Sequence, residues 1–169
     1  VLGRLDEPLG DSSILPTFLL SRFARQSVTV ALGGDAGDEL FAGYDTFAAL
    51  RIARIYELVT PTRVHRGLRR LVEMLPMSSG YMSFDFKLRR ALRGLSYPSA
   101  MWNPVWLSPL EADDITDLLE EKVDAEELYS EAIAAWNGAE ATGHIDRSLE
   151  FYTRFYLPDD ILTKVDRAS

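Results

Sequence analysis

Cysteine is absent from the 169-residue chain. Its absence excludes disulfides, thiolate metal sites and a cysteine nucleophile within this chain. Long hydrophobic runs are absent as well: no stretch approaches the roughly 20 consecutive apolar residues of a membrane span, and none has the pattern of a cleaved signal. We therefore expect a soluble, cytoplasmic protein with no membrane partner. With 47% hydrophobic residues, the chain can still bury the core of one ordinary domain.

Basic residues are scarce in the second half of the chain. Residues 95–169 contain 5 Lys and Arg against 16 Asp and Glu, whereas residues 1–94 contain 13 against 10. Because nucleic-acid binding draws on clustered Lys and Arg, this acidic half argues against a nucleic-acid partner. Histidine is rare too, and His65 and His144 lie too far apart in sequence to form a local metal motif. Each is expected to be a packing or surface residue.

The first elements read as helix and then strand. Ser12 or Ser13 is a suitable cap for a helix that runs to about Arg25. The run from Val28 to Leu32 is short and rich in β-branched residues, and it ends in two glycines. This pattern predicts a buried strand inside a parallel sheet.

Helical patterns dominate the remainder. Apolar spacing predicts a long helix from Asp38 that stops at Thr60-Pro61, then helices over 64–75 and 81–95 with a loop at 76–80. Ser108-Pro109-Leu110-Glu111 has the form of a capping box and predicts a helix start. Further starts are expected at Asp124 and at Leu157. The acid run from Glu111 to Glu131 is interpreted as the solvated side of these helices, and three tryptophans are expected in the core: Trp102, Trp106 and Trp136.

The segment from Gly33 to Tyr44 carries the chemistry. It follows the predicted strand and opens the predicted helix, which is where ligands bind in open α/β sheets. It contains three acids and no lysine. A carboxylate about 4 Å from a phosphate oxygen repels it by roughly 4 kcal/mol at an effective dielectric of 20, more than the ~0.3–1 kcal/mol that a helix terminus offers an anion. A phosphate ligand here would therefore need a divalent cation, and Mg²⁺ suits one or two carboxylates.

A simpler interpretation of the same acids stays open. Asp38 and Glu39 are also favourable residues for the first turn of a helix, with no ligand involved. The residues alone do not decide between the two interpretations.

Three segments of the chain together resemble the asparagine synthetase family. Gly34-Asp35, Asp38-Glu39-Leu40-Phe41 and Gly43-Tyr44 are similar to the family's second signature, Ser-Gly-Asp/Glu-Gly-Gly/Ser-Asp-Glu-Leu-Phe-Gly-Gly-Tyr. Asp6-Glu7-Pro8 with Asp11-Ser12-Ser13 and Pro16-Thr17 resembles the stretch before the strand. Residues 157–169 resemble the stretch that precedes the family's Leu-Glu-Ala-Arg-Val-Pro-Phe segment. The likeness therefore spans the whole chain.

The resemblance implies a fold and a reaction. The fold would be α/β, with a parallel-sheet, Rossmann-like core of the adenine-nucleotide hydrolase type, here truncated, and a largely helical C-terminal part. Residues 1–169 would form part of a synthetase domain of the ATP-pyrophosphatase type, without the glutaminase domain. Such enzymes convert ATP and aspartate to β-aspartyl-adenylate and pyrophosphate, with Mg²⁺, and ammonia from glutamine then displaces AMP to give asparagine.

The resemblance also assigns roles by position. Gly33, Gly34, Asp35 and Gly37 would lie at the nucleotide, and Asp38 would be the magnesium-pyrophosphate carboxylate. Two further residues would form the active-site wall, Glu39 as a catalytic residue and Tyr44 as part of the nucleotide site. Lys164 would face the phosphates as the second catalytic residue and stabilise departing pyrophosphate.

The chain departs from the family pattern in several places. Gly33 replaces the usual serine, and Ala36 and Ala42 stand where glycine is commoner. Loss of the serine hydroxyl removes a hydrogen-bonding group, and Ala36 would resist a positive φ. The family's Ser-Gly-Gly-x-Asp-Ser loop and its glutaminase domain are not in the sequence. We therefore expect a truncated piece or proteolytic remnant that is inactive by itself.

Two alternatives remain at this stage. β-Lactam synthetases and lasso-peptide cyclases reuse the same adenylating scaffold to close a ring. A non-catalytic helical interaction domain would instead use the acidic helices as its working surface. Oligomeric state is also left open, with a homodimer as one option.

Overall fold

A computed structural model describes Gly3, Leu5, Asp6, residues 8–76 and residues 83–169. The chain divides into two compact units. The first combines Val1–Tyr44 with Leu149–Ser169, and the second is Asp45–Ser148. Part of the predicted loop at 76–80 and the start of the helix predicted over 81–95 lie outside the described residues.

The first unit is built from helices near both ends of the chain. Helix α1 (Ile14–Ala24) packs against α11 (Thr163–Ala168), and the short helix α2 (Gly37–Phe41) packs against a helical segment over Tyr152–Leu162. Asp11 fixes the start of α1, because its carboxylate accepts two hydrogen bonds from Ser13. The backbone N–H of Ser13 donates at 2.8 Å and the Ser13 hydroxyl at 2.7 Å. The predicted start and end of α1 are confirmed.

The prediction of a parallel-sheet, Rossmann-like core is wrong. None of the described residues forms a strand, and the run from Val28 to Leu32 is irregular. Its apolar side chains are exposed, with Val30 at 76% and Leu32 at 98%. A strand needs a neighbouring strand to pair its N–H and C=O groups, and no such partner lies in the described part of the chain. The β-branched composition was therefore misleading, because strand preference depends on a pleated surface to pack against.

The long helix predicted from Asp38 is divided in two. Helix α2 ends at Phe41, and α3 (Asp45–Val59) begins after a break at Ala42. Ala42 has a φ of 58° and a ψ of 42°, which is the left-handed conformation. A residue in that conformation cannot continue a right-handed helix, so α2 ends there.

The second unit is a set of short helices. Helix α3 is followed by α4 (Thr62–Glu73), α5 (Phe84–Gly94), a 3₁₀ turn (Ser99–Met101) and α6 (Trp102–Leu107). Then come α7 (Ala112–Leu119), α8 (Ala125–Leu128), α9 (Ser130–Gly138) and α10 (His144–Phe151), within which the chain returns to the first unit. The three tryptophans are buried in this unit, as predicted. The indole rings of Trp102 and Trp106 have centroids 5.7 Å apart.

Capping residues in the sequence predicted the start of α8 correctly and the start of α7 incorrectly. Asp124 caps α8 as predicted, with its carboxylate accepting hydrogen bonds from the N–H groups of Glu126 and Glu127. The capping box predicted at Ser108 is wrong by three residues, because Glu111 is the N-cap of α7 and pairs with Asp114. The Ser108 hydroxyl instead donates to the carbonyl of Leu110 at 2.6 Å, so the serine closes a local turn before the helix.

The helix start predicted at Leu157 lies inside a longer helical stretch. Helix α10, the π-helical segment Tyr152–Leu162 and α11 follow one another without a gap. Pro158 lies within the π-helical segment. The wider π turn accommodates a proline that would clash with the preceding turn of a regular α-helix. Proline here marks a widened helix and not a helix start.

Candidate functional site

The predicted site segment forms an exposed turn and then α2. Gly33, Gly34 and Asp35 are exposed and outside regular structure, and Gly37 is the first residue of α2. The sharp turns fall on alanine and not on glycine. Ala36 has a φ of 72° and Ala42 a φ of 58°, whereas none of the described glycines has a positive φ. The conformation that the family pattern assigns to glycine is therefore occupied here by residues that adopt it at a cost.

Two of the acids in this segment have no polar partner among the described residues. Asp35 and Asp38 are exposed, and within the described residues neither carboxylate has a hydrogen-bond or salt-bridge partner. The Asp38 side chain lies against the backbone of Gly43. A Cβ atom added to Gly43 would come 2.0 Å from Asp38 Oδ1 and 3.1 Å from Asp38 Cα. Glycine at position 43 therefore allows the chain to pass close beneath the Asp38 side chain.

Glu39 has the opposite environment. Its side chain is buried, with the residue only 2% exposed. The Tyr44 hydroxyl donates a hydrogen bond to Glu39 Oε1. Burial and this neighbouring carboxylate raise the pKa of Tyr44, so the phenol stays protonated and keeps donating at neutral pH. The structure thus brings together Glu39 and Tyr44, two predicted site residues.

Three tyrosines connect this pair to the π-helical segment. The ring of Tyr44 lies 5.4 Å from that of Tyr152 and 6.1 Å from that of Tyr156, centroid to centroid. Tyr152 and Tyr156 are 5.5 Å apart in an edge-to-face arrangement. These distances are those of favourable aromatic pairs. These aromatic contacts hold the chain just after α2 against the π-helical segment, which continues into α11 and Lys164.

Lys164 is held by Asp11. Its Nζ lies 2.9 Å from Asp11 Oδ2, and its side chain is only 11% exposed. Burial alone would raise the pKa of Asp11, but the hydrogen bonds from Lys164 and Ser13 outweigh it and lower the pKa. The predicted catalytic lysine is therefore already paired, and its ammonium group retains further N–H donors for a ligand.

Four residues around Glu39, Tyr44 and Lys164 were not identified from the sequence. Asp11 appeared only as part of the first matching segment, and Tyr152, Tyr156 and Asp160 were assigned no role. Burial, and then the nearby Asp11 carboxylate, raise the pKa of Asp160, while Lys164 opposes the shift. The spacing of Tyr156, Asp160 and Lys164 at intervals of four was the available signal, because such residues share one face of a helix.

The three segments that carry the family resemblance therefore converge in the first unit. Asp11 comes from the first, Glu39 and Tyr44 from the second, and Asp160 and Lys164 from the third. We name these five residues, with Tyr152 and Tyr156, the acid-tyrosine cluster.

The donor set of the segment fits a hydrated magnesium ion. Across the described residues, no three His, Cys, Asp or Glu side chains are grouped so that they could hold a metal by themselves. Magnesium commonly uses one or two protein carboxylates and completes its shell with water and substrate phosphates. The unpartnered carboxylates of Asp35 and Asp38 are donors of this kind.

Comparison with known proteins places these features in a family. The family model described as Asparagine synthase matches residues 1–169. Over 168 residues, 99% of the chain, the sequence is 29% identical to a putative asparagine synthetase (glutamine-hydrolyzing) of Mycobacterium bovis, and it covers 24% of that protein. Over 41 residues, 24% of the chain, it is 58% identical to putative asparagine synthetase (glutamine-hydrolyzing) 2 of Methanocaldococcus jannaschii, covering 8% of it. It is 31% identical over 72 residues, 43% of the chain, to asparagine synthetase (glutamine-hydrolyzing) 1 of Bacillus subtilis, covering 11% of it. No solved structure matches the chain.

The chain spans about a quarter of the length of the Mycobacterium relative that it matches from end to end. Among the described residues, no helix combines the length and hydrophobicity needed to cross a membrane.

Proposed function

Because the chain belongs to the asparagine synthase family, we propose that it is the part of an ATP-dependent asparagine synthetase that carries one wall of the adenylation site. Family membership supports an amidotransferase-type synthetase. The choice of aspartate, ATP and Mg²⁺ as ligands belongs to the proposal. So does the assignment of residues 1–169 to an ATP-pyrophosphatase-type synthetase domain.

The observation that carries the proposal is the acid-tyrosine cluster. Three segments far apart in sequence resemble the family, and side chains from all three lie within electrostatic range of Asp160 or in contact with one another. A purely structural helix cap would require only the local residues Asp38 and Glu39. The convergence of remote charged residues favours a binding site.

In the proposed reaction, a β-carboxylate oxygen of aspartate attacks the α-phosphorus of ATP. The bond from that phosphorus to the bridging oxygen breaks, and pyrophosphate leaves with the electron pair. Ammonia, released from glutamine, then attacks the β-carbonyl carbon, loses a proton and displaces AMP. Lys164, oriented by Asp11, would bind phosphate oxygens and stabilise the charge on pyrophosphate. Glu39, held by Tyr44, would form the wall beside the reacting groups.

The loop residues supply the remaining contacts. Gly33, Gly34 and Gly37 would let the backbone approach the nucleotide. Asp38, with Asp35 as a second carboxylate of the same segment, would hold Mg²⁺. When bound, the ion would neutralise phosphate charge that these acids would otherwise repel.

Replacement of Asp38 by asparagine tests the proposal. The side chain makes no capping hydrogen bond and has no protein partner among the described residues, so Asp38→Asn should leave the free energy of unfolding within about 1 kcal/mol of wild type. If Asp38 helps to bind magnesium, aspartate-dependent pyrophosphate release by the intact protein should fall about a hundredfold, or roughly 3 kcal/mol. The matched control is Asp117→Asn, which changes an exposed acid of α7 and should have no effect. Equal rates for Asp38→Asn and wild type would remove Asp38 from the site, and absence of pyrophosphate release by the wild type would refute the proposed reaction.

A further inference from the structure

The second unit contains a pocket whose walls are rich in arginine. It has a volume of about 500 Å³ and is lined by α4, α5 and the chain that follows α6. This volume is within the range of small-molecule sites, about 300–1,000 Å³. Its charged lining consists of two glutamates, Glu73 and Glu111, and four arginines: Arg69, Arg89, Arg90 and Arg93. None of these residues belongs to the acid-tyrosine cluster.

One of the arginines, Arg69, pairs with both glutamates. Arg69 Nε lies 2.7 Å from Glu73 Oε1, and its Nη2 lies 2.6 Å from Glu111 Oε1. The side chain of Glu111 is only 12% exposed, and it also accepts a hydrogen bond from the Tyr97 hydroxyl at 3.2 Å. Both carboxylates in the pocket are therefore hydrogen-bonded to Arg69, and the three residues together carry a formal charge of −1.

Arg89 and Arg93 are held by backbone carbonyls alone. Arg89 donates to the carbonyls of Glu73, at 3.3 Å, and Leu75, at the end of α4. Arg93 donates to one carbonyl within α6, that of Val105 at 2.6 Å, and to two just after it, those of Ser108 and of Pro109, the latter at 3.2 Å. In the described part of the chain, neither guanidinium has a carboxylate partner. The carbonyls fix the orientation of the two groups, but they carry no formal charge to offset the two guanidinium groups.

The spacing of these residues makes the arrangement unfavourable in the absence of an anion. Arg89 and Arg93 are four residues apart on α5 and so share one face, where like charges repel. The Nε atoms of both are buried without a hydrogen-bond partner. Helix capping explains the carbonyl contacts, but it does not require two arginines with unused donors beside the same pocket. A bound anion would offset this charge and could accept hydrogen bonds from the remaining Nη donors of the two groups.

We propose that this arginine pocket binds the phosphate group of a small molecule. Four arginines and two glutamates give the lining a formal charge of +2, and a phosphate monoester carries about −1.5 to −2 at pH 7. Guanidinium groups bind phosphate through two parallel N–H···O bonds, which a single carbonyl oxygen cannot accept. Apolar side chains, Phe86 and Leu107, lie in the same lining and would contact the organic part of a phosphate ester.

Two probes distinguish free phosphate from a phosphate ester. Inorganic phosphate and phenyl phosphate are titrated into the intact protein by isothermal calorimetry, in magnesium-free buffer whose ionic strength is kept constant with chloride. We expect at least one probe to bind with a Kd of about 1 mM or lower. Tighter binding of phenyl phosphate would identify an ester as the ligand, and tighter binding of inorganic phosphate would identify the free anion. If neither binds, the proposal is wrong.

Substitutions then locate the bound phosphate. Arg89→Gln should weaken binding by about tenfold or more, because it removes a guanidinium from the pocket. The matched control Arg66→Gln removes an exposed arginine of α4 outside the pocket lining and should have little effect. Equal weakening in both variants would indicate general charge screening and would overturn the proposal.

A measurement on the wild type covers the outcome in which Arg89→Gln fails to fold. Phenylglyoxal modifies arginine side chains, and the sites can be mapped by mass spectrometry. Bound phosphate should slow the modification of Arg89 and Arg93 and leave the rates at Arg63 and Arg66 unchanged. Protection that is absent, or uniform over all four positions, would contradict a site in this pocket.

Discussion

Replacing Ala36 and Ala42 by glycine should stabilise the protein. These two residues flank α2, and they have φ values of 72° and 58°. In the left-handed region, the Cβ of an L-residue comes too close to the following carbonyl oxygen, and glycine has no Cβ. The two alanines are therefore strained by their position in the turn that presents Asp38 and Glu39.

The size of the effect follows from two opposing terms. Relief of the left-handed conformation is worth about 1–2 kcal/mol per residue. Glycine makes the unfolded chain more flexible, which costs about 0.4–1 kcal/mol. Each substitution should therefore raise the free energy of unfolding by about 0.5–1 kcal/mol. Because both residues flank the same five-residue helix, the double variant need not show the simple sum.

The assay is urea unfolding of the intact protein, followed by far-UV circular dichroism. Ala48→Gly is the matched control, because Ala48 is exposed and lies within right-handed α3. There the same substitution should lower stability by about 1 kcal/mol. The opposite signs for identical chemical changes are the test. Equal destabilisation by Ala36→Gly and Ala48→Gly would refute the assignment of strain to position 36.

Two further predictions concern the second unit. Gly94→Ala should lower the free energy of unfolding by about 3 kcal/mol, because the added Cβ would lie 2.0 Å from Nε1 of the buried Trp106 and the core would have to move. A urea unfolding curve identical to that of the wild type would contradict this close approach. Burial, and then the nearby Arg69 charge, lower the pKa of His65 from 6.5, so the unfolded state binds more protons and stability should fall as pH decreases through 6.5. Urea unfolding at a series of pH values should show a smaller decrease in His65→Gln, and an identical pH dependence would show that His65 does not contribute.

Local signals in the sequence predicted several elements correctly. Asp124 is followed by apolar residues at helical spacing, and the helix begins where the capping carboxylate can reach the N–H groups of the first turn. The prediction of a strand at Val28–Leu32 was wrong. It also rested on local sequence, but a strand is stabilised by pairing with another segment of chain. Strand pairing depends on residues that may be far away in sequence, and the described residues supply no partner.

In the candidate site, too, the part defined by neighbouring residues could be predicted and the contacts between distant residues could not. The segment from Gly33 to Tyr44 could be identified by its glycines and acids, all within twelve residues. The contact between Asp11 and Lys164 joins positions 153 residues apart, and no local pattern contains it. Only the family resemblance linked these segments to a common site, and it did not identify a partner for Lys164. The partner became visible from the packing of α1 against α11.

The charge balance of the acid-tyrosine cluster gives a second physical reason for the proposed magnesium ion. The cluster contains three carboxylates, since Asp11 and Glu39 both act electrostatically on Asp160. Lys164 is the cation of the cluster, and it already donates a hydrogen bond to Asp11. Burial, and then the nearby Asp11 carboxylate, raise the pKa of Asp160, so the cluster disfavours the charged form of this group. A nucleotide would add several negative charges to this cluster, and repulsion of roughly 4 kcal/mol per close pair would exceed what one lysine can offset. Cation and nucleotide should therefore bind interdependently, each strengthening the binding of the other by the same factor.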